Sequence, residues 1–248
     1  MHGTTVPLRA FAEGRLFGER LGQGSPRVLG LHGWARNRSD LVPALSGLDA
    51  VVLDLPGFGA SPEPPMAWGA AEYAGAIGPV LEEFVGAPVV VVGHSFGGRV
   101  AVCLAAERPH AVRALVLAGV PLLRTSPARR PSARYRALRA LHHVGIVSEP
   151  RMERARARFG SADYRAASGV MRQVLVRAVN ETYEEQLRAV RCPVELVWGG
   201  DDRDAPVEVA ERSADLLADV RLTVIAHADH FAPLRSPELR AAIEKHLP

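Results

Sequence analysis

The 248 residues predict an α/β fold: a mostly parallel, doubly wound sheet interrupted by a helical insertion. Three observations carry this. Short Val- and Leu-rich runs recur along the chain, each ending at Gly or a polar residue. Segments with helical spacing separate most of them. Continuous apolar runs of this length suit strands buried on both faces, and strand alternating with helix implies parallel pairing through right-handed crossovers. The third observation is a break: after Leu117 the chain runs as far as Pro193 with helical periodicity and no strand signal.

Taken in order, Val6–Phe11 and Arg15–Leu21 flank Gly14 and read as an antiparallel hairpin at the sheet edge. The buried strands are expected at Val28–Leu31, Val51–Leu55, Val89–Val92, Ala114–Leu117, Val194–Trp198 and Leu222–Ile225. Val100, Leu104 and Ala105 share a helical face after the third of these runs, and Val209, Leu216 and Leu217 suggest a helix before the last. Within the insertion, Tyr135, Leu138, Leu141 and His142 fall on one face, as do Met152, Ala155 and Phe159; Val170, Val174 and Arg177 continue the pattern. Gly119-Val120-Pro121 and Arg191-Cys192-Pro193 punctuate its ends. The expected organisation is a core of residues 1–119 and 189–248 with a helical cap over 120–188. An insertion there would overhang the C-terminal strand ends, where open α/β sheets bind ligands.

Composition narrows the class. With 48% hydrophobic, 6% aromatic and 23% charged residues, the chain is neither disordered nor fibrous. Its longest apolar run, Ala87–Val92, falls well short of the roughly 20 residues of a membrane span. Residues 1–21 lack the apolar block of a signal peptide, so the expected location is cytoplasmic. Cys103 and Cys192, the only cysteines, have no metal-ligand spacing and read as small buried hydrophobes. No metal or organic cofactor is implied.

The strongest chemical signal is Val89-Val90-Val91-Val92-Gly93-His94-Ser95-Phe96-Gly97-Gly98. A G-x-S-x-G between a buried strand and a helix is a nucleophile elbow, whose turn is too sharp for bulky side chains beside the serine. The helix that follows aims free N–H groups at developing negative charge. A serine nucleophile needs a base, and the base an orienting acid. His230 follows the last strand after a short loop and is the expected base; His227 competes. Three carboxylates open the loop after Val194–Trp198: Asp202 is the expected acid, Asp201 the second choice, and Asp204 is read as a cap for the helix at Pro206. The order Ser95, Asp202, His230 fits this fold. Two backbone donors are needed for the oxyanion. They are expected at Phe96, directly after the nucleophile, and at Trp34, in the loop Leu31-His32-Gly33-Trp34.

These blocks resemble the α/β-hydrolase superfamily, with His32-Gly33-Trp34, Asp54-Leu55-Pro56-Gly57-Phe58-Gly59-Ala60-Ser61, Trp198-Gly199-Gly200-Asp201-Asp202 and Asp229-His230-Phe231 each matching a family block. The resemblance implies the acid at Asp202 and the base at His230. One departure is Asp229, where the family commonly has Gly. The residues from Phe159 to Glu181 resemble the cap of small bacterial members and imply nothing about substrate. Ser95 excludes the dehalogenase and epoxide-hydrolase branches, which use an aspartate nucleophile. A Rossmann reading fails because no GxGxxG follows the first strand.

Residues 120–188 hold 14 Arg against 6 acids, whereas the whole chain carries only +3, so the remainder is net acidic. Only Lys245 among the basic residues is a lysine. Arg124, Arg129, Arg130, Arg134, Arg136, Arg139, Arg151, Arg154, Arg156 and Arg158 are therefore read as the solvated faces of amphipathic helices. A minority expectation gives one or two of them a substrate carboxylate; without aromatic interleaving, nucleic acid is not expected as a partner. The expected partner is a small molecule, namely a small to medium carboxylic ester cleaved through an acyl-enzyme. The alternatives are C–C bond hydrolysis of ring-cleavage products and a ligand-binding protein with little turnover.

Overall fold

The computed structural model describes residues 7–84, 87–124, 133–159 and 161–248, with side chains for all of these but 133 and 156–159. Eight strands form one sheet: β1 (Leu8–Phe11), β2 (Leu16–Leu21), β3 (Val28–Leu31), β4 (Ala50–Asp54), β5 (Val89–His94), β6 (Val112–Ala118), β7 (Val194–Gly199) and β8 (Val220–Ile225). Their spatial order is β1-β2-β4-β3-β5-β6-β7-β8. The first two strands pair antiparallel, and β2 meets β4 antiparallel; every later pairing is parallel. The expected edge hairpin is present, with Val6 outside the described residues.

Ten α-helices accompany the sheet among the described residues: α1 (Val42–Leu45), α2 (Ala70–Glu82), α3 (Phe96–Glu107), α4 (Ala133–His143), α5 (Glu149–Phe159), α6 (Ala162–Ala166), α7 (Gly169–Ala178), α8 (Glu184–Ala189), α9 (Val207–Ala214) and α10 (Pro237–Glu244). The sheet separates two apolar clusters. On one face α2, α3, α8 and α9 cover Leu29, Leu31, Val91, Leu115 and Leu196; on the other, α1 and α10 cover Val28, Val52, Val90, Val92 and Val197. Val90 and Val91 go to opposite clusters because successive strand residues point to opposite faces. Both faces are covered, which is why the central strands β3 to β7 read as largely apolar runs.

Where the ends differ from expectation, the cause is local. β6 begins at Val112, and its second residue, Arg113, is exposed in an otherwise buried strand. β8 is the edge strand with half-exposed alternation, so Val220 and Arg221 belong to it although neither extends an apolar run. Near the N-terminal end of β7, Glu195 is buried and receives Lys245 Nζ at 2.6 Å, with His246 Nε2 at 3.0 Å.

Topology positions the site. From β3 the chain moves outward to β4, then returns to place β5 on β3's other side. The loops leaving β3 and β5 therefore diverge at their C-terminal ends and open a crevice between them, the usual place for a ligand in this architecture. Between β6 and β7 lie α4 to α8 and no strand among the described residues. No described helix is long and apolar enough to cross a membrane.

Candidate active site

The turn from β5 into α3 puts Ser95 at φ 48°, ψ −115°. That left-handed φ is strained for a side-chain-bearing residue and marks a functional turn. Its N–H donates to the Ala118 carbonyl at 3.0 Å, which anchors the turn on β6. Glycine is obligatory at 97, because a Cβ there would lie 2.2 Å from the Leu31 carbonyl oxygen; α3 packs directly on the end of β3. At Gly93 a Cβ would meet Gly98 Cα at 2.5 Å, so strand and helix close on one another around the serine.

Ser95 opens into a cavity of about 410 Å³ that is also lined by Trp34, Phe96 and His230. His230 is buried and donates Nδ1–H to Asp202 Oδ2 at 2.7 Å. A carboxylate oxygen can only accept here, so Nδ1 carries a proton, and in the neutral imidazole this tautomer leaves the Nε2 lone pair free. The other carboxylate oxygen of Asp202 accepts the backbone N–H groups of Asp204 and Ala205 at 2.9 and 2.8 Å. The acid is thus fixed from both sides.

The competing residues stand apart. His227 is exposed, with Nδ1 3.8 Å from a carboxylate oxygen of Asp201, itself exposed, and does not line the cavity. Asp204 lines the cavity rim, but the expectation of a helix cap there fails: α9 starts behind Pro206 with no side-chain cap, and Asp204 contributes its N–H to Asp202 instead. Asp229 turns outward, accepting the N–H groups of Phe231 and Ala232 at 2.9 Å each, and so ties the loop that carries His230.

The β3 loop has its own support. His32 is buried, donates Nδ1–H to the Gly33 carbonyl at 2.7 Å and accepts the Leu55 N–H on Nε2 at 3.0 Å. Burial lowers its pKa, so the ring is neutral, as that bonding requires. A trans peptide points its C=O and N–H in opposite directions. Holding the Gly33 carbonyl therefore fixes the direction of the Trp34 N–H. Behind the loop, Trp34, Phe58, Phe96 and Tyr73 stack edge to face at 5.0–5.5 Å. Asp54 shapes the loop bearing Phe58 by accepting the N–H groups of Arg38 and Ala60, both at 2.8 Å.

His94 precedes the serine and is fully buried. Its Nε2–H donates to the His230 carbonyl at 3.1 Å and its ring lies 4.7 Å from that of His230. Burial, reinforced by His230, pushes its pKa down to about 4. Among the described residues, its Nδ1 is the one buried side-chain polar atom with no hydrogen-bond partner.

Sequence reasoning missed His32 and His94 as supports, and it missed Arg99. The arginines that line the cavity are Arg36 and Arg99, neither from the Arg-rich segment. Arg134, Arg136, Arg139, Arg151 and Arg154 are exposed, as solvated helix faces should be. Arg129 and Arg130, and the side chains of Arg156 and Arg158, lie outside the description. From the helical segment the cavity takes Ser161, Asp163, Leu175, Ala178 and Val179.

Comparison with known proteins agrees with this architecture. The model of the alpha/beta hydrolase family matches residues 28–243. The chain belongs to that family. It is 30% identical over 246 residues to a pimeloyl-[acyl-carrier protein] methyl ester esterase of Chromobacterium violaceum, covering 90% of this chain and 93% of the relative. A 2-hydroxy-6-oxo-6-(2'-aminophenyl)hexa-2,4-dienoic acid hydrolase of Metapseudomonas resinovorans is 25% identical over 241 residues, covering 88% of this chain and 81% of that one. Among solved structures, a thermophilic esterase from Thermogutta terrifontis superposes with a TM-score of 0.66 at 22% identity, covering 98% and 97% of the two chains. The alpha/beta hydrolase is therefore an enzyme of the hydrolytic kind.

Proposed function

We propose that this hydrolase cleaves small to medium carboxylic esters with Ser95 as nucleophile, His230 as base and Asp202 as the acid that orients it. The observation that carries the reading is the buried 2.7 Å bond from His230 Nδ1–H to Asp202, in a cavity shared with a serine on a strained elbow. Ser95 Oγ adds to the ester carbonyl while His230 Nε2 takes its proton. The C=O becomes an oxyanion, accepted by the N–H groups of Phe96 and Trp34. As the tetrahedral centre collapses, the C–O bond to the alcohol breaks and the alcohol leaves with the proton from His230. Water, deprotonated by the same imidazole, then cleaves the acyl-enzyme and restores Ser95. Residues 1–119 and 189–248 serve as the catalytic core and 120–188 as the cap, supported by the six cavity residues that segment supplies, Pro121 among them. A cavity of about 410 Å³ suits a small ligand.

A second reading, C–C bond cleavage beside a carbonyl, is favoured by the 6-oxo-dienoic acid, which carries no ester, in the name of the Metapseudomonas relative. One experiment separates the two. Turnover of p-nitrophenyl esters from acetate to decanoate is measured with the wild type and Ser95→Ala. We expect clear wild-type turnover with an optimum at short or medium chain, falling roughly a thousandfold or more in the variant. Turnover indifferent to Ser95, or absent at every length, overturns the ester reading.

A further inference from the structure

We infer that Arg99 is the acyl-pocket anchor for a carboxylate, so that the preferred substrates are esters whose acyl chain ends in a negative charge. This rests on the ester-hydrolase reading and adds the substrate class to it.

Arg99 lies four residues after Ser95, in the first turn of α3, the helix that starts at the elbow. Its side chain lines the same cavity as Ser95 and His230. Nε–H donates to the Pro121 carbonyl at 3.0 Å and Nη1–H to the Ala178 carbonyl at 2.7 Å. The Tyr183 hydroxyl is a third neutral neighbour. These acceptors fix the plane of the guanidinium and supply no countercharge. Among the described residues, no carboxylate stands within ion-pairing distance of it. Glu181 acts on Arg99 only at longer range, and its carboxylate is already committed to Arg177 Nε at 2.9 Å, to the Tyr183 hydroxyl at 2.9 Å and to the Ala70 N–H at 3.2 Å.

The cavity's other charges differ in kind. Arg36 is neutralised by a two-point bond to Asp40 at 2.6 and 2.7 Å. Asp163 and Asp204 are exposed, where solvent and salt screen them. Arg99 is the sheltered one, and burial pulls its pKa down. A guanidinium with a fixed plane and spare N–H groups suits a carboxylate, which it can grip at two points.

The test compares monomethyl esters of the C4 to C7 dicarboxylic acids with methyl esters of the neutral acids of equal length, followed by proton release. For the wild type, kcat/KM should favour the acid-tailed ester at least tenfold at one of these lengths. In Arg99→Gln that ratio should fall at least tenfold, mainly through KM, with Arg99→Lys in between. A purely structural arginine would lower both series together and leave the ratio unchanged; that result, or equal turnover of both series by the wild type, overturns the inference. If Arg99→Gln fails to fold, inhibition of the wild type decides: glutarate should inhibit at least tenfold more tightly than glutaramide, and equal inhibition overturns it. Failure of every ester, together with a Ser95 unreactive toward a fluorophosphonate, would instead overturn the ester-hydrolase reading beneath.

Discussion

His32 shows how a residue can serve chemistry without touching substrate. Its two bonds, to the Gly33 carbonyl and from the Leu55 N–H, clamp the loop whose next N–H we assign to the oxyanion. Losing an oxyanion donor outright costs on the order of 10²–10³ in kcat. Loosening one should cost less, about tenfold to a hundredfold in kcat for His32→Leu, with KM little moved. Asn at this position can return an N–H near the place of Nδ1 and should recover part of the loss. Ester kinetics on the two variants check this, and equal kcat values for Leu, Asn and wild type would refute the role. The histidine of His32-Gly33 is visible in the sequence, but its work is not, because Leu55 lies on another loop. The same holds for Arg99: its partners at 121 and 178 are distant in the chain and bind through backbone carbonyls, which leave no trace in residue identity. Ser95, Asp202 and His230, which we propose as the triad, could be picked out as candidates for the opposite reason. Each lies in the loop or turn that follows a strand, where the turn constrains the sequence around it.

At the scale of elements, the approach of α3 to β3 is the tightest constraint near the site. The Gly97 position leaves no room for a methyl group against the Leu31 carbonyl, which is backbone and cannot rotate away. Gly97→Ala should therefore push α3 off the sheet, costing about 2 kcal/mol or more and misplacing Ser95. Urea unfolding measures the first effect and ester turnover the second; an unchanged midpoint would mean that the helix shifts freely. The strands were readable from apolar runs because both faces of the sheet are covered. The edge strand β8 was readable only in part, since half-exposed alternation admits Arg221 and Thr223. The helical segment showed its periodicity. Which of its residues would face the cavity did not show, because that depends on packing against α2 and α3.

For the whole molecule, the buried histidines couple folding to acidity. His94 has an ordinary value of 6.5 when unfolded and about 4 when folded. Its protonated form therefore favours the unfolded chain. The contribution is complete above about pH 6.5 and is lost as pH falls toward 4, amounting to about 3 kcal/mol over that window. His32, also depressed by burial, adds in the same direction. Urea midpoints between pH 7 and pH 4 should fall steeply for the wild type and less steeply for His94→Gln; parallel curves would remove His94 from the account.

The sheet also gives the molecule two unlike ends. The cavity opens at the C-terminal ends of the strands, whereas Lys245 is held by Glu195 near the N-terminal end of β7. Because Lys245 is the only lysine, amine-directed coupling has a single side-chain target, on the side away from the nucleophile. Tethered there to a support, the molecules would share one orientation, with their cavities turned toward the solution.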